Sequence, residues 1–161
     1  MPLIHCTFDL NNKKTSILAC PGVGAFKAFS GQKQGRDNPA AAASEDIGPI
    51  PKGMYFIVDR QSGGHLGFLY DLWGEHGYGT TDHRTWFTLW NPRTGDSTTI
   101  DGVRRGHFRL HPMGPRRLSE GCITVVSPYD FDRLQKYFRS FKPDLPVPNT
   151  PFKAYGTVEV R

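Results

Sequence analysis

The sequence predicts a mainly β protein of short strands and tight turns, with one helix late in the chain. Three observations predict it. Gly 18 and Pro 13 make 31 of 161 residues, about 19% against roughly 12% in average usage. Short β-branched and aromatic runs recur along the chain, bounded by Gly, Pro, Asn or Asp. One segment alone carries a sustained helical stripe. The length predicts one domain spanning 1–161.

Leu3 to Leu10 and Thr15 to Cys20 are β-prone runs joined by the polar turn Asn11-Asn12-Lys13-Lys14, which predicts a hairpin. Gly22 to Gly35 is punctuated by glycines around Phe26 and Phe29. Gly35 to Asp46 reads as a loop; its four alanines allow one helical turn, limited by Pro39. Met54 to Val58 is a strand, Gly63-Gly64 a turn, and Leu66 to Trp73 and Thr85 to Asn91 further strands. Pro92 to Asp96 turns into Ser97 to Ile100. Gly106 to His111 is a strand cut off by Pro112, and Ile123 to Val126 is apolar and β-branched. Ser127-Pro128-Tyr129-Asp130 supplies an N-cap, a proline in the first turn and an acid beside it. Phe131, Leu134, Phe138 and Phe141 form one apolar stripe behind that start, and Pro143 stops it. Pro143 to Pro151 is extended. Thr157 to Val160 is a last strand, a partner for the first.

Composition excludes several classes. Twenty Lys and Arg against 15 Asp and Glu leave a net charge of +5, a mild excess that does not predict nucleic-acid binding. No run approaches the roughly 18 apolar residues of a membrane span. Residues 1–20 show no basic start followed by an apolar stretch, so no signal peptide is expected. Three cysteines exclude a dense disulfide scaffold. If the hairpin turn takes three residues, Cys6 and Cys20 fall opposite each other and can pair; with a two-residue turn they stay free.

The densest chemistry runs from Arg104 to Cys122, with five arginines, two histidines, a serine, a cysteine and the single acid Glu120. A thiol must become a thiolate to attack a carbonyl, and nearby positive charge or a histidine lowers its pKa. A histidine can also protonate a leaving amine. Gly121 lets the chain turn tightly before Cys122. Taken alone, Cys122 reads as a small buried hydrophobe sooner than as a nucleophile, and His111 as a surface or satisfied histidine. His107 and His111 lie four apart, but the strand confining them sets them roughly 13 Å apart, too far for one metal without a bend. His5, His65, His76 and His83 show no ligand spacing. Trp73, Trp86, Trp90, Phe68 and Phe87 read as core.

His111 followed by Ser119-Glu120-Gly121-Cys122-Ile123 resembles the active-site signature of the L,D-transpeptidase catalytic domain. Pro49-Ile50-Pro51-Lys52-Gly53-Met54-Tyr55 is similar to the strand that opens that domain. Ala28-Phe29-Ser30-Gly31 and Arg60-Gln61-Ser62-Gly63-Gly64 are similar to motifs of its small type VI secretion effector subgroup. Glu120 stands where the general family has a histidine, and Thr124 where it has Asn or Arg. The His111 to Cys122 interval suits the subgroup.

The resemblance implies a two-sheet L,D-transpeptidase-like β-sandwich with one helix after the nucleophile strand. It implies Cys122 as nucleophile, His111 as base held by a backbone carbonyl such as that of Pro112, Ser119 as a hydrogen-bonding site residue, and Gly121 and Cys122 N–H groups as an oxyanion hole. Arg104, Arg105, Arg109, Arg116 and Arg117 read equally as a solvated basic face and as guanidinium contacts for stem-peptide carboxylates; of these, Arg109, Arg116 and Arg117, with Glu120, are the candidate substrate contacts. Peptidoglycan stem peptides become the substrate, a secretion apparatus and an immunity protein the partners, and a target cell's periplasm the place of action. No metal or other cofactor is implied. Two rivals stand beside this reading: a zinc hydrolase using His107, His111 and Cys122, and an inactive cell-wall or protein-binding module.

Overall fold

In the computed structural model, residues 4–59, 85–114 and 121–161 are described. Their strands are β1 (Ile4–Phe8), β2 (Ser16–Cys20), β3 (Gly24–Phe29), β4 (Gly53–Asp59), β5 (Phe87–Trp90), β6 (Ser97–Ile100), β7 (Val103–Gly106), β8 (Arg109–Pro112), β9 (Ile123–Val125), β10 (Leu145–Pro146), β11 (Lys153–Ala154) and β12 (Gly156–Val160), with helix α1 (Pro128–Arg139) after β9. The expected strand over Leu66 to Trp73, the turn at Gly63-Gly64 and the Arg60 to Gly64 motif lie outside the described residues.

The chain is mainly β, as the composition predicts, but its hydrogen bonding differs from two stacked sheets. Eight strands form one closed sheet in the order β1-β12-β4-β5-β8-β9-β3-β2, and β2 pairs back to β1. Closure leaves these strands no open edge. Two pairings are parallel, β1 with β12 and β8 with β9. The first confirms that the last strand partners the first. The small pairs β6–β7 and β10–β11 lie outside the barrel.

Local chemistry sets each element. Asn11 Oδ1 accepts from the Lys13 N–H at 3.0 Å, and Asn11 Nδ2 donates to the Thr15 carbonyl at 2.9 Å, so the asparagine builds the β1–β2 turn. The register Thr7↔Ala19 and Phe8↔Leu18 then sets Cys6 opposite Cys20, and the two form a disulfide. Side chains alternate along these strands, so Ile4, Cys6 and Phe8 point inward with Leu18 and Cys20. Tyr55, Ile57, Phe87, Leu89, Leu110 and Ile123 complete the barrel interior. The buried Tyr55 hydroxyl donates to the Pro51 carbonyl at 2.8 Å, which offsets its desolvation.

In α1, the Ser127 side chain accepts from the Asp130 N–H, the cap the sequence predicts. Phe131, Leu134 and Phe138 are buried, and Phe131 and Phe138 meet Phe87 edge-on. In the loop ahead of β4, the alanine run gives one 3-10 turn, Pro39–Ala41, capped by Asn38.

The expected strand Gly106 to His111 is split. Val103–Gly106 belongs to a hairpin with Ser97–Ile100, turned by Asp101 and Gly102, both at positive φ. His107 then adopts φ 56 and breaks the strand. β8 restarts at Arg109 and runs through Pro112 rather than stopping before it. The β5 ladder ends at Phe87↔Leu110 and the Met113 N–H serves β9, so the N–H that proline lacks is not called for.

Candidate active site

Strands β8 and β9 carry the site. Leu110 pairs with Ile123 and both face the interior, at 1% and 0% exposure. Alternation turns the next pair, His111↔Thr124, to the other face. Cys122 lies one residue before β9, in the bend that Gly121 opens.

His111 is 8% exposed and held on three sides. Its Nδ1 lies 2.7 Å from the Pro112 carbonyl oxygen. A carbonyl only accepts, so Nδ1 carries the proton and Nε2 keeps a lone pair. Thr124 Oγ1 lies 3.5 Å from Nε2. Trp86 stacks on the imidazole, ring centroids 4.3 Å apart and planes 20° apart. Trp86, expected in the core, packs partly buried against the core cluster and also forms a wall of the histidine's pocket.

Cys122 is the cysteine outside the disulfide and is half-buried. Its Sγ lies 3.9 Å from the His107 carbonyl oxygen. Gly121 has φ +111, and a Cβ there would stand 2.5 Å from Arg105 Nη2 and 2.9 Å from Phe108 Cε1. The position is glycine because a side chain has neither the backbone angle nor the room.

That neighbour, Arg105, is 3% exposed. Its guanidinium donates to the carbonyls of Ala42, Gly48 and Pro49. It therefore ties the loop before β4 to the turn that presents Cys122. Burial pulls Arg105 below its ordinary pKa, while Tyr55, Glu45 and Cys122 pull the other way. The thiol thus sits within electrostatic reach of a buried cation.

Asp96 organises the remaining wall. It meets His107 Nδ1 at 3.0 Å and takes both terminal nitrogens of Arg109, at 2.7 and 3.3 Å. Burial alone would raise the Asp96 carboxyl, but hydrogen bonds from His107 and Arg109 outweigh it and hold the group below the usual range. Arg109, expected at a substrate carboxylate, is thus engaged by an internal one. His107, a donor in the zinc alternative, is turned to the same carboxylate. Among the described residues, no three His, Cys, Asp or Glu side chains gather as metal donors.

A cavity of about 400 Å³ opens at Cys122, lined by Glu45, Asp46, Ser97, Arg104, Arg105, Gly106 and His107. The expected site residues Arg116, Arg117, Ser119 and Glu120 lie outside the described residues. Sequence reading missed Asp96, taken as a turn residue, and Arg105, lost among the arginines. Pro92 to Asp96 did mark a turn at the right place, but nothing local pointed it at His107 and Arg109. Glu45 and Asp46 carried no signal beyond loop polarity.

A family model described as the Tlde1 domain matches residues 24–150 of the chain, from β3 through the site and past α1. No curated protein matches it.

Proposed function

Because the chain belongs to the Tlde1 domain family, a family of type VI secretion L,D-transpeptidase effectors, we propose that it is a cysteine-nucleophile L,D-carboxypeptidase and D-amino-acid-exchanging L,D-transpeptidase. Its domain would span 1–161. The substrate is the tetrapeptide stem of peptidoglycan. Nε2 of His111 takes the Cys122 proton, and the thiolate attacks the carbonyl that joins the third stem residue to D-Ala. Gly121 and Cys122 N–H groups stabilise the oxyanion. The C–N bond breaks, His111 protonates the leaving D-Ala amine, and a thioester remains. Water then attacks the thioester, gives its proton to His111 and releases the tripeptide as the C–S bond breaks. A D-amino acid amine in place of water gives exchange. Ser119, Arg116, Arg117 and Glu120 complete the substrate contacts in this reading.

The observation that carries the proposal is the His111 tautomer. Its Nδ1 proton is bonded to Pro112, which leaves Nε2 basic on a strand paired with the one that follows Cys122. The family supplies the rest of the setting. The protein would be delivered by the secretion apparatus into a target periplasm and neutralised at home by an immunity protein. No helix among the described residues is long and apolar enough to cross a membrane.

Mass analysis of purified muropeptides tests the reading. Wild-type protein converts tetrapeptides to tripeptides, and Cys122→Ala does not. Conversion that survives the substitution, or that a chelator abolishes, would sink the thiol mechanism.

A further inference from the structure

The cavity at Cys122 carries charge of both signs. Glu45 and Asp46 line it from the loop before β4, and Arg104 lines it from β7. The other charged groups there already have structural duties. Arg105 holds three backbone carbonyls, and His107 is paired with Asp96.

The acidic segment is also fixed in place. Gln32 Nε2 donates to the Asp46 carbonyl at 2.7 Å, and the Gln32 N–H donates to the Ile47 carbonyl at 2.9 Å. Gly48 N–H donates to the Ser44 carbonyl at 2.8 Å. A Cβ at Gly48 would stand 2.1 Å from the Ala41 carbonyl oxygen, so the backbone there is close-packed. The two carboxylates are therefore presented by a held backbone, which lowers the ordering cost of binding.

A purely acidic wall would select a cation, and a purely basic one an anion. A cavity with both selects a group that bears both. We propose that this cavity is a subsite for a zwitterionic α-amino-carboxylate, with Glu45 and Asp46 taking the ammonium and Arg104 the carboxylate. Guanidinium suits a carboxylate because its two N–H groups match the two oxygens. The volume is that of a small-ligand pocket.

The inference rests on Cys122 as the acyl-forming nucleophile. Two groups near such a nucleophile have this chemistry. One is the far end of a diaminopimelate side chain on the donor stem. The other is the incoming D-amino acid, whose amine forms the new C–N bond as the C–S bond breaks and its proton passes to His111.

The test compares D-Ala release from three tetrapeptide donors, with diaminopimelate, lysine or norleucine in position three, and exchange with free D-methionine. The proteins are wild type, Arg104→Gln and the double variant Glu45→Gln/Asp46→Asn. If the donor fills the subsite, Arg104→Gln lowers kcat/KM about two- to fivefold for the diaminopimelate donor alone, the upper range for exposed charge pairs. The double variant does so for diaminopimelate and lysine, and norleucine is unchanged in both. If the acceptor fills it, hydrolysis of every donor is unchanged and D-methionine exchange falls by the same factor. Either pattern supports the subsite. Variants that alter neither reaction, or that lower all donors alike, overturn it. Absence of D-Ala release from every donor with wild-type protein overturns the acyl-transfer reading itself, and this inference with it.

Discussion

The carbonyl oxygen of Pro112 stands 2.7 Å from Nδ1 of the residue before it, His111. One backbone bond therefore fixes both the orientation of the imidazole and the nitrogen that keeps a lone pair. A catalytic carboxylate is not needed for that task, because a carbonyl selects the same tautomer without adding charge. The bond leaves Nε2 as the proton acceptor. His111→Ala should slow iodoacetamide alkylation of Cys122 near neutral pH and lower D-Ala release by about 10²- to 10⁴-fold. Equal alkylation rates in the two proteins would remove His111 from thiol activation.

Arg105 predicts a separable effect. Its buried guanidinium binds three carbonyls and lies within electrostatic reach of Cys122. A nearby cation favours the thiolate, so losing it should move the alkylation midpoint to higher pH. Arg105→Met should show that upward shift, by roughly one unit, together with a stability loss of roughly 2–4 kcal/mol from unpaired buried carbonyls. Arg105→Lys keeps the charge without the fork. It should lose stability while retaining most of the wild-type pH profile. A lysine profile identical to that of methionine would assign Arg105 a purely structural role.

Much of the site was legible because its determinants are local. Ser127 and Pro128 announce the helix start. Gly121 announces the turn before Cys122, and Pro112 offers a carbonyl to its neighbour. The rest depended on distant pairing. Three of the four residues of Val103–Gly106 are arginine or glycine, so no apolar alternation marks it as a strand; the marker is the Asp101-Gly102 dipeptide, a hairpin-turn signal whose residues both take positive φ. The barrel closes through two parallel pairings, and neither β1 with β12 nor β8 with β9 is joined by a short loop. Asp96 meets His107 and Arg109 only once the β6–β7 hairpin has formed, and Arg105 meets its carbonyls only once the loop before β4 has packed on β7.

The Cys6–Cys20 bond predicts a compartment effect. It joins β1 to β2, whose antiparallel ladder holds only two residue pairs, and it closes a segment of sequence separation 14. A loop of that length is worth about 3 kcal/mol in the unfolded-state entropy account. Reduction, or Cys6→Ala/Cys20→Ala, should lower the melting temperature accordingly. Oxidised protein should show one free thiol under denaturing, non-reducing conditions, and reduced protein three. Three free thiols in protein recovered from an oxidising compartment would refute the bond.

Asp37 predicts the pH dependence of stability. The side chain is fully buried, and its Oδ1 accepts the Ser30 N–H at 2.9 Å. Burial pushes its carboxyl up to about 7, although the Ser30 bond and Arg36 favour the charged form. The folded chain thus keeps a proton that the unfolded chain releases near the ordinary value of 3.8. The sign follows from linkage: protonation favours folding, so this contribution is complete below about pH 4, falls away as the pH rises toward 7, and is flat above. At about 1.4 kcal/mol per pH unit, the change is at most roughly 4 kcal/mol. Asp96 works in the opposite sense, since its lowered carboxyl loses stability on acidification below the usual carboxylate range. Subtracting a variant from wild type isolates Asp37 from it. Asp37→Asn keeps an oxygen for the Ser30 N–H, tolerates the backbone angle of φ 51, and has no proton to lose. Urea unfolding of both proteins at pH 4.5, 6 and 7.5 should show wild type losing stability relative to the variant as the pH rises. Parallel curves would mean that Asp37 folds with its charge already in place.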